Sequence, residues 1–279
     1  MLAILISLAA GALAAGATSF ATHHPAWLTF AGVAGFLASS FVINRIFGKR
    51  LKAIFDRVQK ALEGAQLEAN KIVNRVQQRG GGMSANLLQD KVEKVMEDAF
   101  GNALKVLDEA TPLFKWTLLT ERQVATYRVQ ILYQLKRFDE VDKLLPRVLL
   151  WEPLTLAMKM AREFEHDSPN LEKTYKKGIR RFKGDKAVLI YSAYAWMLVK
   201  RREFDKAREL LAKAKEKTQS PDLDRNWQAL SNNKPQHFSN QFLGEQWYAL
   251  HLEKLKPAKQ KVSKGELKNN PMYGGKRRF

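Results

Sequence analysis

The chain has 279 residues and a net charge of +19, long enough for one or two domains with a real core. It contains no cysteine, which excludes disulfide stapling and thiolate chemistry and fits a reducing compartment. A hydrophobic content of 46% excludes wholesale disorder.

Charge is distributed in a step. Residues 1–47 carry no Lys, Asp or Glu, and their only charge is Arg45. Two apolar stretches, 2–20 and 26–47, match the roughly 20 residues that a helix needs to cross about 30 Å of hydrocarbon. Ala21-Thr22-His23-His24-Pro25 reads as a turn closed by a helix-stopping proline. Residues 1–48 are therefore expected to form a transmembrane helical hairpin. A signal peptide is the rival for the first stretch, because Ala12-Leu13-Ala14 and Ala15-Gly16-Ala17 resemble cleavage sites. Residues 2–8 hold no Lys or Arg, however, so the basic n-region is missing. Arg45, Lys49, Arg50 and Lys52 flank the second stretch. The positive-inside rule places them, and the rest of the chain, in the cytoplasm. The expected location is the inner (cytoplasmic) membrane, multi-pass, with lipids as the first partner. The pairs Gly11/Ala15, Ala31/Gly35 and Gly35/Ser39 have the small-xxx-small spacing that lets helices approach closely.

From 49 to 79, Leu51, Phe55, Val58, Leu62, Ala65, Ala69, Ile72 and Val76 recur at alternating steps of four and three. This is the heptad seam of an amphipathic stalk helix. The seam can pair with a second copy of the chain or with another helix of the same chain. Because the segment has 8 basic and 3 acidic residues, a helix lying on the bilayer is the alternative. The favoured expectation is self-association through stalk and spans. Gly80-Gly81-Gly82 ends the helix and makes 80–83 a hinge. No Gly-Lys-Ser/Thr follows, so this is not a phosphate loop. Ser84 is placed to cap the next helix.

Residues 84–253 read as helices throughout, so the expected fold class is all-α. Phe138-Asp139-Glu140-Val141-Asp142-Lys143-Leu144-Leu145 and Phe204-Asp205-Lys206-Ala207-Arg208-Glu209-Leu210-Leu211 are near copies. They lie 66 residues apart, close to twice the 34-residue spacing of a helix-pair repeat. On these residues the chain, over about 120–255, resembles the tetratricopeptide repeat (TPR) family. Phe138, Val141, Leu145, Val148 and Pro153 occupy the family's second-helix packing places in one copy, and Phe204, Ala207, Leu211 and Ala214 in the other. Tyr191, Tyr194, Ala195 and Leu198 supply a first helix. Leu243-Gly244-Glu245-Gln246-Trp247 matches the first-helix pattern without a second helix after it, as a terminal cap would. The unit over 154–187 is degenerate except for its turn, 166–170, and the helix after it. The resemblance implies an α-solenoid whose groove takes a partner peptide. Trp151, Trp196, Trp227 and Trp247 are expected mainly in packing. The whole layout is similar, in architecture only, to HemY-type bacterial inner-membrane proteins.

The last segment, 254–279, has nine basic residues against Glu266, with prolines and paired glycines, and reads as a disordered basic tail. Lys256, Lys259, Lys261, Lys264, Lys276, Arg277 and Arg278 are candidates for contact with anionic lipid, at about 1 kcal/mol per residue near the surface. A second basic cluster, Lys173, Lys176, Lys177, Arg180, Arg181 and Lys183, follows Asn170, and the Lys/Arg bias of the repeat region would favour an acidic protein partner or its C-terminal carboxylate in the groove. Nucleic acid is the disfavoured partner, because no recognition module or basic-aromatic platform is present.

No Ser/His/Asp set, His-x-x-x-His pair, paired-carboxylate motif or dinucleotide fingerprint appears. Asp139, Glu140 and Asp205 sit at helix starts, where an acid is favourable. No enzymatic activity and no cofactor or metal is expected. The chain reads as a membrane-anchored scaffold that recruits a protein partner. The alternatives are a structural or regulatory subunit that contacts a membrane complex through its spans, and a nucleic-acid tether working through the basic tail.

Overall fold

A computed structural model describes residues 2–21, 24–78, 84–117 and 119–254. Helices are the only regular elements among them. In chain order they are α1 (Leu2–Ser19), α2 (Pro25–Gln78), α3 (Ala85–Asp108), α4 (Thr120–Gln134), α5 (Phe138–Leu144), α6 (Pro153–Glu165), α7 (Leu171–Arg181), α8 (Asp185–Lys200), α9 (Phe204–Thr218), α10 (Pro221–Ser231) and α11 (Glu245–Tyr248), with four short 3-10 turns between them. The glycine hinge at 80–82 and all the tail residues proposed to meet lipid, Lys256 through Arg278, lie outside the described residues.

The apolar start and the amphipathic segment share one helix. α2 runs unbroken for 54 residues, about 80 Å at 1.5 Å per residue. The expected division at 48/49 falls inside it, because a lone Gly48 costs only about 1 kcal/mol and no proline accompanies it. α1 packs antiparallel to the first half of α2 at glycine-limited distance. A Cβ on Gly11 would lie 2.7 Å from the Gly32 carbonyl oxygen, and one on Gly35 would lie 2.7 Å from the Ala14 Cβ. Both helices are long and apolar enough to cross a membrane. The protein does not bury them: Leu13, Phe30 and Phe41 stand well exposed, a surface too apolar to face water at this extent.

The second half of α2 is covered from within the chain. Leu51, Ile54 and Val58 form a core with Ala103, Leu107, Ala110 and Leu113 of α3 and the turn after it, joined by Val124 and Ile131 of α4. Ala65 and Ala69 are buried further along, while Phe55, Leu62, Ile72 and Val76 are half-buried. Every seam residue thus lies on the covered side of α2, and α3 is what covers it. Ser84 caps α3, its hydroxyl accepting the Leu87 N–H at 3.3 Å.

Three helical hairpins follow, α4/α5, α6/α7 and α8/α9, and then α10. The first helices pack on one another, α4 on α6 and α6 on α8. Each of α4, α6, α8 and α10 ends in the same turn. Lys136, Asp167, Arg202 and Asn233 take left-handed backbone, with φ between 46° and 61°. The next residue's N–H reaches back five residues: Arg137 to Leu132, Ser168 to Glu163, Glu203 to Leu198 and Lys234 to Ala229. This is the Schellman pattern, which satisfies orphan helix carbonyls. The separation from Asp167 to Asn233 equals that from Lys136 to Arg202, 66 residues. The unit that looks degenerate in sequence, 154–187, therefore has the same turn as its neighbours.

Candidate functional site

Two faces of the hairpin stack are chemically distinct. The first is formed by α4, α6 and α8, and the chain's own C-terminal segment covers it. Gly244, at φ +54°, turns the backbone so that α11 enters the core, where Trp247 and Leu250 are almost wholly buried. The Tyr133 hydroxyl donates to the Leu250 carbonyl at 2.9 Å. His251 stacks on the Tyr133 ring at 5.7 Å. One carboxylate then serves two indoles: Trp196 Nε1 donates to Glu253 Oε1 at 2.7 Å and Trp247 Nε1 to Glu253 Oε2 at 2.8 Å. Burial, followed by the negative charge of Glu165, pushes the Tyr133 hydroxyl well above its ordinary range. Burial and then the nearby Lys136 ammonium hold the His251 imidazole below its usual value.

Beside this face, Arg162 joins two hairpins. Its guanidinium is nearly buried. It donates to both oxygens of Asp142, at 2.9 and 2.7 Å, and to Glu165 at 2.5 Å, and it lies 4.6 Å over the Phe138 ring. The Arg162 hydrogen bond, with a smaller one from His166, holds the Asp142 carboxyl below the usual carboxylate range. The Arg162 guanidinium is thus fully engaged by its neighbours.

The second face is open. α7 buries Leu171, Thr174, Tyr175 and Gly178. Gly178 sets its depth, since a Cβ there would lie 2.9 Å from Leu156 Cδ2. The opposite side carries Lys173, Lys176, Lys177, Arg180 and Arg181, all exposed. Lys176 pairs with Glu172 at 2.6 Å. Lys183, just beyond the helix, donates to the Ile179 carbonyl. Lys173, Lys177, Arg180 and Arg181 have no partner among the described residues. Positions 173, 177 and 180 stand one above another at helical spacing, so α7 presents an unneutralised cationic row. Among the described residues, no three His, Asp or Glu side chains are arranged to hold a metal.

Comparison finds no matching family model, curated protein or solved structure.

The residues that the repeat pattern singled out are placed as follows. Val141, Ala195, Ala207, Leu211, Ala214 and Trp247 are fully buried, and Val148 and Leu198 nearly so. Phe138, Leu145 and Tyr194 are half-buried against the same core, with Tyr194 stacked on Tyr175 at 4.1 Å. Pro153 opens α6. Phe204 differs: it is 37% exposed and makes no ring contact among the described residues. Its counterpart Phe138 lies beside His251 of the C-terminal segment and Tyr133 of α4. The sequence-expected cap at 243–247 is a four-residue helix entered through a 3-10 turn. Trp151 lies outside any helix and is about half exposed. Glu253 was not among the sequence candidates. Its position five residues beyond the end of α11 carries no periodic signal.

Proposed function

We propose that the chain is a membrane-anchored, TPR-like helical scaffold that recruits an acidic segment of a partner protein through α7. The observation that carries this reading is the row of unpaired cations on the exposed side of α7. The face that would hold a peptide in a TPR-like stack is already filled by residues 245–253, which leaves α7 as the concentrated charge on offer. The anchor is the α1/α2 hairpin, whose apolar side chains point outward. Arg45, Lys49 and Arg50 set its orientation, with the hairpin stack and C-terminus in the cytoplasm. Stacking of first helices on first helices and the recurrent left-handed turn support the TPR-like description. Nothing in this reading requires catalysis.

The test is crosslinking in intact membranes followed by mass spectrometry, comparing wild type with a Lys173→Glu, Lys177→Glu, Arg180→Glu triple variant. The expected result is loss of an acidic neighbour from the variant while the protein stays in the membrane. An unchanged set of neighbours overturns the reading.

A second reading has its own support. The hairpin carries an apolar concavity lined by Leu8, Gly11, Ala12, Ala15, Gly32 and Phe36, a shape that suits a further membrane helix. In that case the chain is a subunit held through its spans. Replacing residues 1–47 with an unrelated hairpin then abolishes recruitment, whereas the scaffold reading predicts that recruitment persists.

A further inference from the structure

The apolar hairpin meets the helical stack at a tight joint. The Ala3 N–H, in the first turn of α1, donates to the Trp116 carbonyl at 3.2 Å. Phe47 of α2 stacks on the Trp116 ring at 4.2 Å with the planes 20° apart. Beside this joint lies a cavity of about 390 Å³ between α1, α2 and the start of α4. That volume falls within the range of small-ligand sites, roughly 300–1,000 Å³.

Its lining is divided by chemistry. Ile4, Phe47 and Leu51 supply apolar wall, and Ser40, Asn44 and Gln123 supply amides and a hydroxyl. Asn44 makes one long contact, to Ser40 Oγ at 3.4 Å. The Gln123 side-chain amide makes no hydrogen bond among the described residues. Each primary amide has two donors and an acceptor oxygen to satisfy. Two primary amides from different elements thus line one amphipathic cavity, Asn44 exposed and Gln123 half-buried. No carboxylate lines it, and the charges nearest in sequence on α2 are all basic: Arg45, Lys49, Arg50 and Lys52.

We infer that this cavity binds a glycerophospholipid of the surrounding leaflet. The phosphodiester and glycerol oxygens accept from the Asn44 and Gln123 amides, and the first part of an acyl chain lies against Ile4, Phe47 and Leu51. An apolar wall continuous with the hairpin fits a chain-bearing lipid better than a soluble phosphate. The site rests on the hairpin being embedded in a bilayer, and a chain soluble without detergent would defeat that premise separately. It is independent of what α7 recruits.

The full-length protein, purified in a non-ionic detergent, is to be examined by native mass spectrometry and thermal unfolding with added phosphatidylglycerol. A ligand that binds the folded state raises the melting temperature by mass action. Two variants test the cavity. Asn44→Leu with Gln123→Leu removes the amides. Gly48→Leu fills the space; a Cβ at Gly48 meets nothing within 4 Å, and leucine is a better helix former than glycine, so the fold is kept. The expected result is retained lipid and a raised melting temperature in wild type, and about tenfold weaker retention in both variants, a change worth about 1.4 kcal/mol. Equal retention in wild type and Gly48→Leu overturns the site. An equal shift with glycerol 3-phosphate alone overturns the lipid assignment in favour of a soluble phosphate.

Discussion

Tyr133 and Leu250 are 117 residues apart in sequence, and the Tyr133 hydroxyl donates to the Leu250 carbonyl at 2.9 Å in the buried interior. The bond ties the first hairpin to the C-terminal segment, so the hairpin stack is closed across its inner face by its own chain. Tyr133→Phe removes one neutral hydrogen bond and is expected to cost about 1 kcal/mol. Glu253→Ala orphans the indole N–H groups of both Trp196 and Trp247. At about 1–3 kcal/mol for each unsatisfied buried donor, it is expected to cost more than Tyr133→Phe. Trp247→Ala empties a fully buried site and is expected to cost about 3–5 kcal/mol. Denaturant unfolding of the detergent-solubilised chain checks the order. If all three variants unfold with wild type, residues 245–253 do not contribute to the stability of the stack.

The same segment gives the fold a pH dependence. His251 is stacked on Tyr133, its Nε2 is buried without a partner among the described residues, and Lys136 repels its charged form while Glu165 weakly favours it. Its folded-state value is therefore below the ordinary one. Between the two values the unfolded chain binds more protons, so stability rises with pH in that window. The contribution is complete above about pH 6.5, the ordinary imidazole value, and is lost as pH falls below it. Melting temperatures measured from pH 7.5 down to pH 5.5 are expected to decline, and His251→Phe is expected to flatten that decline. A wild-type profile already flat across this range contradicts the burial of a neutral imidazole.

Much of the first 78 residues could be read directly from sequence, because membrane-length apolarity and a heptad seam are both periodic signals. The seam lay on the covered side of α2, although Ile54, buried on that side, is not one of its positions. Its occupant was harder to read. α3 is a single helix, and its fully or nearly buried apolar positions, Ala99, Ala103 and Leu107, are mostly alanines that barely register as a stripe. The two clear repeats were legible through Phe138 and Phe204 and the residues after them. The hairpin α6/α7 was hard to read as a repeat because Leu171 stands where its neighbours have a phenylalanine at the start of the second helix, leaving only its turn and that helix to mark it. The C-terminal segment was legible only as a terminal helix at 243–247, and its course beyond Trp247 was not, for a different reason. Trp247, Leu250 and Glu253 act through long-range contacts with α4 and α8, and neither helical nor strand spacing signals such contacts.

Asp142 supplies a second, acid-side dependence. Its carboxylate accepts from both Arg162 and His166, and its folded value is lowered, chiefly by the Arg162 hydrogen bond. A depressed carboxyl contributes stability above its ordinary value of about 3.9, and that contribution disappears as pH falls through the lower folded value. Asp142→Asn leaves the nearly buried Arg162 with Glu165 as its one carboxylate. The expected loss is about 1–3 kcal/mol at neutral pH, with a shallower acid limb in the unfolding profile. Arg162→Leu removes the charge together with its need for a partner, so it is expected to cost less than would leaving the charge in place without any carboxylate. Urea titrations at pH 7 and at about pH 2, well below the ordinary carboxyl value, check both statements: the Asn variant should differ from wild type less at the lower pH.

Whether the stalk seam pairs within one chain or between copies can be decided because the protein has no cysteine of its own. Arg57 of α2 and Glu109, just past α3, form an exposed ion pair at 2.6 Å. An exposed pair of this kind adds little stability, about 0–1 kcal/mol, so replacing it leaves the fold in place. In the double variant Arg57→Cys, Glu109→Cys, a short bis-maleimide is expected to join the two thiols inside a single chain. Peptide mapping then shows an intrachain link, and the product runs as a monomer on a denaturing gel. Single variants are expected to stay unlinked under the same conditions. A predominance of covalent dimers in the double variant would mean that the α3 of a second copy packs against Leu51, Ile54 and Val58. The stalk would then be the protein's oligomerisation element, not the inner wall of one chain.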